Sequence, residues 1–289
     1  MRDPSPLLRS SEHGSGRTPR RSSGRALARV YRALVKVAWA TALEYRGQIL
    51  IWILTFFFPL VMMAVWLAVV DEVGPAAGWN RGDFVSYYVG VAMVNHLSTA
   101  WILWAWDEDI RTGKLSVKLL KPLDPFHHYL CDQLGWKLFV LMIVVPAVAV
   151  AAWLLPTISY PLTLARLVAV ILSVVFGFAL NMLMSSAFGV LAFWSTQVRN
   201  LYSLWYGAGQ FLSGWIAPLA LFPAGYRQVA HLLPFRSTLG FPVEILMGQL
   251  TWSEIGFGFA VAGGWTLFFL IVYRVLWRIG LRRYEAVGA

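Results

Sequence analysis

Charge and cysteine are what this sequence has least of. Only 13% of its 289 residues are charged, about half the share of a typical soluble domain. The solvent of such a chain is mostly lipid. A single cysteine, Cys131, excludes an internal disulfide and any multi-cysteine metal site. No G-x-x-x-x-G-K-[S/T] run occurs, so no loop of this kind cradles nucleotide phosphates. H-E-x-x-H and C-x-x-C are missing too, which removes the common zinc-hydrolase and dithiol chemistries. His127 and His128 lack a third ligand and are expected to be solvated loop residues. Near the start there is no apolar core and no small-residue cleavage site of the kind a secretory signal carries. Residues 1–24 are polar and basic and are expected to form a disordered cytoplasmic tail.

What is abundant complements these absences. Hydrophobic residues make up 58% of the chain, and its 15 Trp, 11 Tyr and 18 Phe suit membrane–water interfaces. A spanning helix needs about 20 mostly apolar residues. Six stretches qualify: 49–70, 84–106, a short one at 138–155, a long one at 167–193, 201–222 and 256–277. Segment 231–250 is also apolar, but Pro234, Arg236, Pro242 and Glu244 interrupt it, which predicts a re-entrant or interfacial element rather than a seventh span. The expected fold is thus an all-α polytopic membrane protein, with residues 47–289 forming a six-span transmembrane domain.

Lys and Arg set the orientation. With the start of the chain inside, 20 of the 24 fall on inner segments and only Arg81, Arg166, Arg227 and Arg236 on outer ones. That asymmetry follows the positive-inside rule and predicts a multi-pass inner-membrane protein with both termini cytoplasmic. The same topology accounts for the net charge of +10 without nucleic acid as a partner.

Between residues 25 and 46 the periodicity is helical. Leu27, Val30, Tyr31, Leu34 and Ala38 share one face, and Arg25, Arg29, Arg32 and Lys36 the other. Such a helix lies in the cytoplasmic headgroup layer, with membrane lipids as partners, or packs on the protein's own inner ends.

The inner segment 107–136 is the most distinctive. It opens on Asp107, Glu108 and Asp109, then alternates cations with apolar residues up to Leu119-Leu120-Lys121-Pro122-Leu123. Leu115, Leu119 and Leu120 are placed to share one helical face, and Pro122 ends the helix. An apolar face held in water needs cover, from headgroups or from a partner protein.

These residues carry a resemblance. Glu108-x-x-x-Thr112-Gly113-x-Leu115 followed by Leu119-Leu120-x-Pro122-Leu123 resembles the inner-loop signature of ABC type-2 transporter permeases. Leu233-Pro234-Phe235 with Phe241-Pro242-Val243-Glu244-Ile245-Leu246-x-Gly248 resembles that family's segment before the last span. Leu276-Trp277-x-x-Gly280-Leu281-x-Arg283-Tyr284-Glu285-Ala286-Val287-Gly288 resembles the ending of the branch that often pairs two permeases with one ATPase. The resemblance covers residues 26–289. It implies a non-enzymatic permease subunit of an exporter, coupled through the 108–122 loop to an ATPase subunit that holds ATP and Mg²⁺. This chain itself would bind no cofactor. A second permease protomer, in a heterodimer by the habit of that branch, would complete the transporter. The coupling acid is Glu108 or Asp109, and Thr112, Gly113, Leu115, Leu119, Leu120 and Pro122 complete the element.

Polar residues inside the spans are the candidates for a substrate path: Asn95, His96, Ser98 and Thr99 in the second, Asn181 and Ser185 in the fourth, and Gln210 in the fifth. In lipid such groups must meet other helices or a cavity, so each makes an interhelical hydrogen bond or lines the path. His96 is the candidate that also titrates near neutral pH. It would serve the alternative reading, a stand-alone proton-coupled secondary transporter, which needs ionisable groups deep in the spans. Arg274, at the inner end of the last span, would be functional only if it faced the interior.

Overall fold

The computed structural model describes residues 31–33, 35–36, 46–75, 78–154 and 158–284. All its ordered elements longer than a turn are helices. They are α1 (Arg46–Val73), α2 (Arg81–Ser98), α3 (Leu103–Arg111), α4 (Leu115–Leu119), α5 (Pro125–Leu154), α6 (Leu164–Gly189), α7 (Val198–Leu212), α8 (Ala224–Leu232), α9 (Pro234–Thr238), α10 (Gly240–Leu246) and α11 (Trp252–Leu281). Among the described residues, three helices are long and apolar enough to cross a membrane: Pro125–Pro146, Leu164–Phe193 and Trp252–Leu281. The amphipathic helix expected over 25–46 lies almost wholly outside the described residues. The part described, 31–33 and 35–36, is helical.

Local chemistry sets the helix starts. Asn80 caps α2 by accepting from the Gly82 and Asp83 amides at 2.8 and 3.2 Å, while Asp83 accepts from the Asn80 amide at 2.9 Å. Thr251 and Glu254 form the same reciprocal box at the head of α11. Each box satisfies two amides that the first turn leaves without partners, worth about 1 kcal/mol.

The central helix is α6, which contacts α2, α3, α7, α9, α10 and α11. One buried cluster gathers Trp106, Leu115, Tyr129, Leu180, Met184, Tyr273 and Trp277 around the foot of α6. Trp106 is closely fitted: a Cβ on Gly189 would stand 2.6 Å from the Trp106 Cβ, so only glycine allows that approach. A second cluster gathers Trp79, Phe84, Tyr87, Tyr88 and Val91 at the start of α2.

Two stretches expected to be continuous are broken. The 84–106 stretch is helical to Ser98, unwinds over 99–102 and resumes as α3. The cause is local competition for hydrogen bonds. Ser98 Oγ shares its one proton between Val94 O at 2.8 Å and Thr238 O at 2.7 Å, and Thr99 takes an extended conformation. The freed backbone groups are met from neighbouring helices. Lys137 Nζ donates to the carbonyls of His96 (2.5 Å) and Thr99, Asn181 Nδ2 donates to Ser98 O at 2.9 Å, and Gln133 Oε1 accepts from the Trp101 amide. The 201–222 stretch ends as a helix at Leu212, where Gly214 takes φ +91°. Its unwound carbonyls accept from Tyr87 (Gly214 O, 2.6 Å), Tyr88 (Ile216 O, 2.7 Å) and Trp66 (Ile216 O, 3.1 Å). Unwound backbone at membrane depth is tolerated where protein supplies such partners.

Other boundaries also differ. The third stretch is not short: α5 begins at Pro125 and is 30 residues long. His127 and His128 are therefore in its first turn and not in a loop. His128 is buried, and His127 Nδ1 is bonded to the Tyr31 hydroxyl. Every residue of α9 and α10 is buried. The two charges that interrupt this segment, Arg236 and Glu244, neutralise one another there, with Arg236 Nε donating to Glu244 Oε2 at 3.1 Å. Buried charges persist in this way, paired and hydrogen-bonded.

Candidate functional site

Two features stand at the ends of the α2–α3 break. On one side is a loop with an apolar tip; on the other is a polar cavity.

The loop consists of α3, a turn at Thr112 and Gly113, and α4. Gly113 has φ +75°, a left-handed conformation that side chains rarely adopt, and this reverses the chain. The three acids divide by face. Asp107 is buried and accepts from Arg111 one turn on and from Arg199 Nε of α7 at 2.6 Å. Arg111 also donates to Thr196 O at 2.7 Å. Asp109 is buried and accepts from Lys118 Nζ of α4 and the Tyr129 hydroxyl of α5, both at 2.5 Å. The Lys118 ammonium also stands 4.0 Å from the centre of the Tyr129 ring. Only Glu108 faces outward, where it pairs with Lys114 at 2.5 Å and, through that bond, raises the lysine's pKa above its ordinary value.

The leucines also separate. Leu115 is fully buried in the cluster around Trp106, so it does not share a face with Leu119 and Leu120. Leu120 is 88% exposed, Leu119 37% and Val117 61%, and Pro122 is exposed as well. Ser116 is held from behind by the Tyr284 hydroxyl at 3.0 Å. The exposed tip thus stands on a base fixed to α5, α7 and the C-terminal segment. Val117 was not singled out by sequence, although it lies in the same alternating run.

The cavity, about 50 Å³, is bounded by α2, α6, α7 and α9. Asn95, Ser98, Thr99, Asn181 and Gln210 all line it. His96 and Ser185 do not. His96 Nδ1 is bonded to Ala92 O at 2.8 Å, and Ser185 is buried against Tyr202. Arg274 is exposed and does not face the interior. Sequence reasoning missed the aromatic part of the wall: Tyr202, Trp205, Tyr206, Trp215 and Phe235. The signal was present, since Tyr202, Trp205, Tyr206, Gly209 and Gln210 recur at helical spacing along one stripe of α7, with Ser213 just past its end. Lys137 was missed as well. It lies inside α5, yet its role in satisfying the broken α2 depends on contacts across the bundle.

The break joins the two features. Thr99 lines the cavity, Leu103 begins α3, and Asp107 ties α3 to the α7 that forms the aromatic wall. Two structural links thus connect the loop with the cavity wall, the backbone of 99–102 and the Asp107–Arg199 pair.

The described residues form a helical bundle without strands, in which three helices are long and apolar enough to cross a membrane. The sequence model of the ABC-2 family transporter protein matches residues 50–288. The chain belongs to the ABC-2 transporter family and is an integral membrane permease of an ABC transporter. No curated protein and no solved structure matches it.

Proposed function

We propose that this chain is the permease subunit of an ATP-driven exporter, in which a separate ATPase subunit docks on the tip formed by Val117, Leu119 and Leu120. The observation that carries the reading is the contrast within the loop: a rigid base, held by buried Asp107 and Asp109, presents an apolar tip that is exposed. Closure of the ATPase pair would push this tip. The base would pass the push to α3 and α7, and the cavity at Asn95, Asn181 and Gln210 would change shape and access. ATP and Mg²⁺ belong to the ATPase subunit. The cargo is a small molecule or lipid-like compound exported from the cytoplasm or inner leaflet.

In this reading the chain has six spans, counting the broken α2–α3 and α7 segments, with α9 and α10 re-entering before the last one. It lies in the inner membrane with both ends cytoplasmic. A second permease, a related chain in preference to an identical one, completes the pathway. The test is co-purification of the tagged chain from its native membrane. Leu120→Asp should remove the ATPase while leaving membrane insertion intact. Retention of the ATPase by that variant would count against the docking site.

A further inference from the structure

From the chemistry of the cavity wall we infer that the cargo is an uncharged molecule combining hydroxyl or amide groups with a flat apolar face, such as a glycoside. The inference rests on the permease reading and on this cavity being part of the path.

Three observations lead there. First, none of the 16 lining residues is Asp, Glu, Lys, Arg or His. A charged ligand would enter without a counter-charge on the lining, which disfavours it wherever the helices exclude water. Second, the polar part of the wall consists of the amides of Asn95, Asn181 and Gln210 together with hydroxyl groups. Part of their hydrogen-bonding capacity is used within the protein, since Asn181 Nδ2 donates to Ser98 O and Asn95 Oδ1 accepts from Thr99. The other amide atom of each asparagine is left, so the wall still both donates and accepts, which suits another hydroxyl or amide. Third, the remaining wall is aromatic. Tyr202 and Tyr206 stack at 29° with centroids 6.2 Å apart, and Trp205 stands 4.6 Å from Phe235. The rings brace one another, and with Trp215 they give this side of the lining an apolar, aromatic surface against which a flat apolar group can pack.

Aromatic walls also attract cations, but two features oppose a cation here. The Lys137 amino group donates to the carbonyl of Thr99, a wall residue, so that carbonyl is already engaged and does not attract a cation. The buried carboxylate of the neighbouring short helices, Glu244, is engaged by Arg236. An anion fares no better, because Lys137 is not part of the lining and its N–H groups are engaged by two carbonyls. The cavity is also far smaller than the roughly 300–1,000 Å³ of a ligand site. It must widen to admit cargo, and α7, tied to the loop through Arg199, is the wall positioned to move.

The test uses the purified chain, with whatever ATPase accompanies it, in lipid nanodiscs. Binding of tritiated phenyl β-D-glucoside is measured against two matched competitors, the anionic phenyl β-D-glucuronide and a cationic 6-amino-6-deoxy glucoside. The neutral probe should bind saturably, and each charged analogue should compete at least about tenfold more weakly. Gln210→Leu should weaken the neutral probe, and Gln210→Glu should shift preference toward the cationic analogue. Equal competition by a charged analogue, no saturable binding of the neutral probe, or an unchanged preference in Gln210→Glu would overturn the inference. Probing the same preparation for the ATPase separates the two readings. An ATPase without charge selection sinks this inference alone; charge selection without an ATPase sinks the exporter reading alone.

Discussion

Replacing Asp107 with asparagine removes one charge and almost no volume, so it isolates the electrostatic link between α3 and α7. The carboxylate side chain is 2% exposed and receives guanidinium N–H groups from Arg111 and from Arg199, the latter at 2.6 Å. Two charge-assisted hydrogen bonds would together be worth about 3–6 kcal/mol net. The arginine side chains are 33% and 51% exposed, so solvent screens part of that. Asparagine also keeps one acceptor oxygen. The expected loss is therefore about 2 kcal/mol, and the Asp107–Arg199 pair should show a coupling of about 1 kcal/mol in a double-mutant cycle with Arg199→Gln. The assay is reversible unfolding in mixed micelles for the wild type, both single variants and the double variant. The functional counterpart is an ATPase that still co-purifies with Asp107→Asn but drives less transport, since the docking tip is untouched and the link behind it is weakened. Single-variant effects that add within about 0.3 kcal/mol would refute the link.

Two further outcomes follow from the same contacts. Lys137→Met should leave the carbonyls of His96 and Thr99 without their shared donor and cost about 2 kcal/mol; a thermal-stability measurement on the purified variant checks this, and wild-type stability would contradict it. His231 on α8 is held below its ordinary pKa by burial and then by Arg236. The folded histidine resists a proton that the unfolded one accepts, so α8 should lose stability as pH falls below about 6.5. Hydrogen exchange of the α8 amides at pH 5.5 and 7.5 reads this directly, and His231→Ala should flatten the difference.

Continuous apolar runs were legible in the sequence. The 167–193 and 256–277 stretches correspond to Leu164–Phe193 and Trp252–Leu281, because hydropathy and helical length agree there. The breaks after Ser98 and Leu212 were not legible. Leu97, Ala100, Trp101 and Ile102 keep the hydropathy window apolar, while the groups that satisfy the unwound backbone, Lys137, Gln133 and Asn181, come from distant parts of the chain. In the loop the residue types were legible and their faces were not. Leu115 turns inward because the Gly113 turn starts a new helix there, which a single helical register cannot represent. Polar residues in apolar stretches led to the cavity at five positions. His96 and Ser185 do not line it: the His96 ring is bonded to the carbonyl of its own helix four residues back, and Ser185 is buried against Tyr202.

What touches Leu120 in the membrane decides whether an ATPase docks on the loop. Because Cys131 is buried, a cysteine placed at an exposed position can be labelled selectively with a benzophenone maleimide in native membranes. Leu120→Cys should photo-crosslink to a Walker-motif ATPase. Trp153→Cys, comparably exposed at 81% but about 45 Å of helix away at the other end of α5, should crosslink only to lipid or to a second permease. No ATPase adduct from position 120, or the same adduct from both positions, would contradict the account.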